Sequence, residues 1–305
     1  MGEKTKGRKF VLRQTGKKVS SFKKNSAFIT NLGKLKIKWV LDDSRIKENL
    51  QNYYKDFIIP LNNNYEVLLE VKSKYPQIAS KVNFFLKTDA WDYGERNNKR
   101  YLHFFHTRNS LMEFSSDFSK IKLWSKEHWR EVFTHLSSDL LYTLLLPQFK
   151  GIFLHASAIK INKRIFVCIA PSGGGKSTMA KLALLKNFAV LNDERIILRK
   201  VKDKYIVFGN PWHGKMPQTS PEFGEVKEVF FLKKANRNYG RKMNKKEMAL
   251  RILEDSMYLD EDKKTFKKVF EIAFDAGNNI DAYILEFRPD LDIWGYLDER
   301  FKQNS

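Results

Sequence analysis

Residues 164–186 read RIFVCIAPSGGGKSTMAKLALLK, and this stretch decides the fold. Residues 165–169 are apolar and rich in β-branched side chains, which predicts a buried strand. Three glycines follow, and good helix formers continue after Lys176. A strand, a glycine-rich loop and a helix in this order form the context in which a G-x-x-x-x-G-K-[ST] motif binds phosphate. The sequence therefore predicts an α/β fold with a phosphate-binding loop at the end of a central strand.

The residue types of the glycine loop, residues 170–175, suit a nucleotide. Glycines permit backbone angles that side chains forbid and let amide groups approach a phosphate, while the next helix points its positive end at the same anion. Lys176 would lie at the β- and γ-phosphates, and the Ser177 hydroxyl would hold Mg²⁺. Ala170 replaces the first glycine of the motif, and a chance glycine-rich turn is the alternative. The residues expected to contact ATP are Ser172, Gly173, Gly174, Gly175, Lys176, Ser177 and Thr178.

An acidic pair follows the next apolar segment. Residues 188–191 read FAVL and predict a strand, after which come Asn192, Asp193, Glu194 and Arg195. Behind a phosphate-binding loop, one carboxylate can hold Mg²⁺ while its neighbour accepts the proton of an attacking hydroxyl. The alternative is an ordinary polar turn, since Asp and Glu often end strands. We interpret residues 192–195, the acidic turn, as part of a nucleotide site.

Residues 210–215 read NPWHGK and follow a predicted hairpin. The segment combines turn formers with an aromatic, a histidine and a lysine. His213 and Lys215 are candidates for a substrate-side loop over the phosphates. A structural turn anchored by Trp212 is an equal alternative, because no spacing rule fixes a role here.

Four short segments together resemble the C-terminal catalytic domain of HPr kinase/phosphorylase, and more closely the HPr-kinase-like proteins of uncharacterised substrate. In that family a histidine lies one strand before the phosphate loop, and an Asp-Asp pair ends the strand after it. The match is specific over residues 151–215 and compatible in pattern from residue 216 onward. The matching segments are Leu154-His155-Ala156, residues 165–169, residues 171–178 and Leu191-Asn192-Asp193-Glu194.

The resemblance implies an ATP- and Mg²⁺-dependent serine kinase. Asp193 would be the base that activates the acceptor hydroxyl, Glu194 would help to position Mg²⁺, and His155 would lie near the transferred phosphate. The glycine-rich signature that follows the acidic strand in HPr kinases is not evident, so another serine-bearing protein or peptide competes with HPr as the acceptor. Relatives form rings, so a homo-oligomer is also an expectation.

The implied fold is a P-loop kinase domain of HPr-kinase type, with a mixed twisted sheet and flanking helices, preceded by a smaller, mostly β, α+β region. Residues 1–24 carry nine Lys or Arg and one Glu, which predicts a flexible basic arm. Residues 25–124 predict a strand-rich domain that begins with a hairpin around residues 31–33. Residues 125–305 form the predicted catalytic domain, starting with a helix that Pro147 ends.

Composition narrows the class of protein. The net charge of +21 in 305 residues favours acidic partners, and a surface solvated by lysines is the equal alternative. No basic stretch has the stacking aromatics of a nucleic-acid module. Lys233, Lys234, Arg237, Arg241 and Lys242 are interpreted as a solvated basic loop that could dock an acidic partner. A single cysteine, Cys168, forms no internal disulfide and suits the cytoplasm. The apolar run at residues 140–146 is far below the ~20 residues of a membrane span, and no signal peptide is evident.

Two other functions compete with the kinase. A P-loop NTPase would use water as the nucleophile, and a non-catalytic nucleotide sensor would bind without turnover. No transporter-type signature lies between the glycine loop and Asp193, and the short separation of Ser177 from Asp193 suits the HPr-kinase arrangement. Phosphate transfer to a serine peptide separates the kinase from both alternatives.

Overall fold

The computed structural model describes residues 26–303 apart from residues 73, 78–80, 106–109, 126–135, 162–163, 213 and 215–219. The described residues form two nine-stranded mixed sheets and six α-helices. The fold class is therefore mixed α/β, as the sequence predicts. The predicted basic arm of residues 1–24 lies outside the described residues.

The first sheet has the strand order β3-β1-β2-β4-β9-β8-β7-β6-β5. Its strands are β1 (Ser26–Leu32), β2 (Leu35–Leu41), β3 (Ile58–Ile59), β4 (Val67–Lys72), β5 (Asn83–Lys87), β6 (Trp91–Arg96), β7 (Lys99–Phe104), β8 (Ser110–Phe114) and β9 (Lys120–Trp124). Buried and half-buried residues alternate along β2 and β4, because successive side chains of a strand point to opposite faces. One face of this sheet therefore supplies the core of the first part of the chain.

The predicted hairpin is confirmed as β1 and β2, which pair antiparallel over their whole length. The turn lies at Gly33 and Lys34, slightly later than the sequence suggests. Both residues have positive φ, at 60° and 58°. A two-residue turn with two positive φ angles matches the right-handed twist of the strands it joins. Leu32 therefore still pairs with Leu35 within the ladder.

The glycine loop follows a strand of the second sheet, β12. This sheet has the order β10-β14-β15-β16-β12-β11-β13, and β18 pairs with both β16 and β17. Its strands are β10 (Gly151–Leu154), β11 (Ala156–Ile161), β12 (Arg164–Ile169), β13 (Ala189–Asn192), β14 (Ile196–Val201), β15 (Lys204–Phe208), β16 (Phe223–Lys234), β17 (Tyr239–Lys242) and β18 (Asp281–Phe287). The central strands β12, β16 and β18 run parallel to one another.

The helices are α1 (Ser44–Tyr53), α2 (Leu136–Leu145), α3 (Lys176–Leu185), α4 (Lys245–Glu254), α5 (Lys263–Asn279) and α6 (Asp292–Gln303). Two of them, α4 and α5, share a hydrophobic core with one face of the second sheet, and α3 and α6 share another with the opposite face. Along β12, Val167 belongs to the first of these cores and Phe166 to the second. Because both faces of β12 are covered, its sequence is continuously apolar rather than alternating.

A third core joins the two sheets. It contains residues of the first sheet and of α2 together with Phe153, Ile197 and Trp212 from the second part of the chain. Helix α2 lies within the segment predicted to be a helix from Ser125, and residues 126–135 of that segment lie outside the described residues. The α-helix ends at Leu145, close to Pro147 as predicted, and the chain continues in a 3₁₀ turn at Leu146–Phe149 whose first residues include Pro147. Proline suits the first turn of a helix, where its missing N–H has no partner to lose.

The interpretation of residues 233–242 as a solvated loop is wrong for most of the stretch. Lys233 and Lys234 end strand β16, and Tyr239–Lys242 form strand β17. Strand β18 pairs with both of these strands and supplies their backbone partners. Among the described residues, each helix is too short or too polar to cross a bilayer.

Candidate functional site

Three predicted features meet at one edge of the second sheet. Strand β12 leads into the glycine loop, and β13 leads into the acidic turn. Both strands pair antiparallel with β11, which lies between them, so both end where β11 begins. His155 immediately precedes β11. The topology therefore brings His155, the glycine loop and the acidic turn to the same edge, the usual ligand-binding edge of such sheets.

The glycine loop needs its glycines for two separate reasons. Gly173 and Gly175 have φ angles of 77° and 116°, which side chains disfavour. A Cβ at Gly175 would also lie 2.7 Å from the ring of Phe287. The Gly174 amide donates to the Pro171 carbonyl at 2.9 Å and closes a turn. The loop backbone therefore packs directly against the Phe287 ring and against its own residue Pro171, and leaves no space for a Cβ at Gly175.

Helix α3 starts directly at the loop. Its N-cap is Gly175, which has no side chain to bond the first amides. These amides and the positive end of the helix suit an anion. Lys176 is buried, and its ammonium group donates to the Ala170 carbonyl oxygen. Ser172 and Gly173 are exposed, whereas Gly174, Ser177 and Thr178 are half-buried, so the loop is open to a ligand.

Asn192 shapes the acidic turn. Its Oδ1 accepts the amide hydrogens of Glu194 and Arg195, both at 2.9 Å. Its Nδ2 donates to the Trp212 carbonyl oxygen at 2.6 Å. The side chain is fully buried, so one amide group joins the acidic turn to Trp212. The sequence analysis assigned Asn192 no role, although Asn before a turn is known to bond the backbone two residues onward.

We expect Asn192→Ala to lower the free energy of unfolding by about 3 kcal/mol, because several buried backbone groups lose their partner. Urea unfolding would show a lower midpoint with an unchanged slope. Asn62→Ala is the matched control, since exposed Asn62 accepts the Asn64 amide in a similar local bond. A loss no larger than that of Asn62→Ala would contradict the role given to Asn192.

The two carboxylates of the acidic turn have different surroundings. Asp193 is 2% exposed, and its Oδ1 accepts the Gly214 amide at 3.2 Å. The Glu194 side chain is 36% exposed and lies 3.6 Å from Arg195. Arg195 also pairs with Asp139 of α2 at 3.1 Å. Asp193 is thus held inside the site, while Glu194 lies at its rim.

Gly214 lies against this acidic pair. A Cβ at Gly214 would lie 2.5 Å from Glu194 Oε2 and 2.8 Å from Asp193 Oδ1. Trp212 is buried, with its ring centroid 4.9 Å from that of Tyr142. The segment of residues 210–214 therefore has an aromatic anchor and also reaches the site. His213 and Lys215 lie outside the described residues, so their place in a substrate-side loop stays a prediction.

His155 is half-buried beside charged groups. Burial lowers the pKa of its imidazole below the ordinary value, and the positive charges of Lys176 and Arg195 lower it further. The Glu194 carboxylate opposes this shift of the pKa. The lowered pKa favours the neutral imidazole, which can donate one hydrogen bond without carrying charge.

The structure adds a carboxylate that sequence reasoning missed. Asp255 follows α4, and its carbonyl oxygen accepts the His155 amide at 2.9 Å. Burial raises the pKa of the Asp255 carboxyl, and the nearby Lys176 ammonium opposes this effect. The long-range bridge between Leu154 and Ser256 also holds Asp255 here, and no local sequence motif predicts this position.

The oxygen atoms of the site suit Mg²⁺ bound together with a nucleotide. Among the described residues, no group of three or more His, Cys, Asp or Glu side chains could hold a metal ion. Magnesium at nucleotide sites takes most of its ligands from phosphates and water, with one or two from the protein. The Ser177 hydroxyl and the Glu194 carboxylate carry oxygens of that kind, and their role as magnesium ligands stays a prediction.

Comparisons with known proteins find a weak similarity in structure. No protein-family model matches the chain, and no curated protein matches it. The HPr(Ser) kinase/phosphatase from Coxiella burnetii is similar in structure over 50% of this chain and 99% of its own, with a TM-score of 0.31 and 13% sequence identity. Such a similarity does not establish a family. The P-loop kinase fold of HPr-kinase type stays a prediction.

Proposed function

We propose that this protein is an ATP- and Mg²⁺-dependent kinase that transfers the γ-phosphate of ATP to a serine hydroxyl of a protein or peptide. The observation that carries the proposal is the meeting of the glycine loop, buried Lys176 and the acidic turn at one sheet edge. The choice of serine as the acceptor rests on the resemblance of residues 151–215 to HPr-kinase-like proteins.

The glycine loop and α3 would bind the phosphates. Backbone amides at the start of α3 would donate to phosphate oxygens, and the helix dipole would favour their negative charge. Lys176 would lie at the β- and γ-phosphates, where negative charge accumulates during transfer. Bound Mg²⁺, held by Ser177 and Glu194 with phosphate oxygens, would neutralise further charge on the nucleotide.

Asp193 would activate the acceptor. Its carboxylate would take the proton of the serine hydroxyl as the serine oxygen forms a bond to the γ-phosphorus and the bond to the β,γ-bridging oxygen breaks. ADP then carries away the electron pair of the broken bond. Neutral His155 would donate a hydrogen bond to an oxygen of the transferred phosphate. Because phosphoryl transfer needs little covalent chemistry from the protein, positioning and charge do most of the catalysis.

The acceptor would approach a basic protein. The net charge of +21 raises the local concentration of acidic partners and speeds their encounter. An acidic serine-bearing segment is therefore the acceptor that the charge favours. Salt should slow such an encounter, because exposed charges are screened over roughly 8 Å at physiological ionic strength.

The test is transfer of label from γ-labelled ATP to lysate proteins. We expect labelled serine with Mg²⁺ and almost no label after EDTA, since Lys176 alone would not neutralise the phosphates. The labelled acceptor is then identified by mass. Free labelled phosphate without a labelled protein would replace the kinase by an NTPase. ATP binding without either product would leave a nucleotide sensor.

A further inference from the structure

Strand β16 brings a second lysine to the glycine loop. It runs parallel to β12 beside it, and Phe231 of β16 pairs with Ile169 at the end of β12. Lys234 lies beyond this pair, as the last residue of β16. Parallel neighbours end at the same edge of a sheet, so Lys234 is exposed at the edge that carries the glycine loop.

The register of β16 on β18 determines which way Lys234 points. Lys234 pairs with Phe287, and Lys233 pairs with Glu286. The Phe287 side chain is fully buried against Gly175. A Cβ at Gly175 would lie 3.8 Å from Lys234 Cε as well as 2.7 Å from the Phe287 ring. The Lys234 side chain therefore lies along the loop, next to the N-cap of α3.

Lys233 points the other way and is neutralised within the protein. Its ammonium lies 3.4 Å from a Glu286 oxygen, and Arg237 lies 3.1 Å from the other. Within the described ranges, Lys234 has no ion pair of this kind. Two adjacent lysines thus differ in their surroundings, because successive side chains of a strand point to opposite faces.

We propose that Lys234 is a second phosphate-binding cation, whose ligand is a nucleoside polyphosphate held by the glycine loop. This inference rests on the proposed function, because it needs a nucleotide at the loop. Lys176 is buried and bound to the Ala170 carbonyl at one end of the loop. Lys234 lies at the other end, beside Gly175. Each lysine thus lies against the loop, so a phosphate chain bound there would be attracted by two positive charges as well as by the α3 amides.

The experiment measures calorimetric binding of ATP, ADP and AMP to the full chain for the wild type, Lys234→Gln and Lys233→Gln. Both variants remove one charge from the same strand, so long-range effects cancel. We expect Lys234→Gln to weaken ATP binding about fivefold to tenfold and AMP binding less, with a smaller dependence on salt. Lys233→Gln should change each affinity less than about twofold. Lys234→Arg should keep most of the wild-type affinity, because it keeps the charge.

Equal losses in the two glutamine variants would overturn the inference, because the effect would then be one of general charge. Wild-type affinity in Lys234→Gln, with ATP binding lost in Lys176→Ala, would also overturn it and leave the proposed kinase untouched. If Lys234→Gln weakens ATP binding but the wild type labels no protein, the kinase fails and the phosphate-binding role of Lys234 stands. If the wild type binds no nucleotide, both the proposed kinase activity and the phosphate-binding role of Lys234 are contradicted.

Discussion

Lys176→Ala should reduce phosphate transfer from ATP by about a thousandfold, since it removes the charge that we propose lies at the phosphates. Lys176 is 7% exposed, and its ammonium group is hydrogen-bonded to the Ala170 carbonyl oxygen. A cation from the solvent would therefore not replace the ammonium group with the same geometry. The measurement is the initial rate of labelled-serine formation at saturating Mg²⁺. Lys181→Ala is the matched control, because Lys181 lies on the exposed side of the same helix, and its rate should stay within about twofold of the wild type.

Stability should behave differently from activity in this variant. Burial removes the hydration of the Lys176 ammonium, and hydrogen bonds to neighbouring oxygen atoms compensate for this loss. Replacing Lys176 in the ligand-free protein should therefore change the free energy of unfolding little, and can even increase it. We therefore expect the thermal midpoint of Lys176→Ala to equal or exceed that of the wild type. If Lys176→Ala keeps more than about a tenth of the wild-type rate, Lys176 does not bind the transferred phosphate.

Local parts of the fold are predictable from the sequence. The β1–β2 hairpin, the β12–loop–α3 unit and strand β13 all follow from turn residues and apolar runs within a few positions. Their neighbours in the sheets do not follow, because pairing joins residues far apart in the chain. Strand β16 is the clearest case. It lies between β12 and β15, and its last residues looked like a basic loop because Lys is common in exposed segments.

For the candidate site, too, the sequence predicts the local elements but not the long-range contacts. The positions of Lys176 and Asp193 follow from the motif and its spacing, and the structure brings them to one edge through their shared partner β11. The contributions of Asp255 and Lys234 need the tertiary fold, since a bridge to β10 places one and strand register places the other. Such residues carry no local pattern.

Asp193→Asn should reduce transfer to the acceptor by about a thousandfold, at the middle of the range for loss of a general base. Asparagine has nearly the shape of aspartate and can still accept the Gly214 amide bond at Oδ1. It cannot take a proton from a serine hydroxyl. ATP binding, measured by calorimetry, should therefore stay within about threefold of the wild type while the labelled product disappears.

Glu194→Gln is the comparison that separates a base from a metal ligand. Glu194 lies on the same turn but at the rim of the site, where loss of its charge should weaken Mg²⁺ binding. Excess Mg²⁺ should then restore transfer in Glu194→Gln and leave Asp193→Asn inactive, because added metal cannot replace a proton acceptor. Rescue of Asp193→Asn by Mg²⁺ would exchange the two roles. The difference in burial between these adjacent carboxylates would give each of them one task, since the enclosed Asp193 is held more tightly than Glu194 and would orient a nucleophile better.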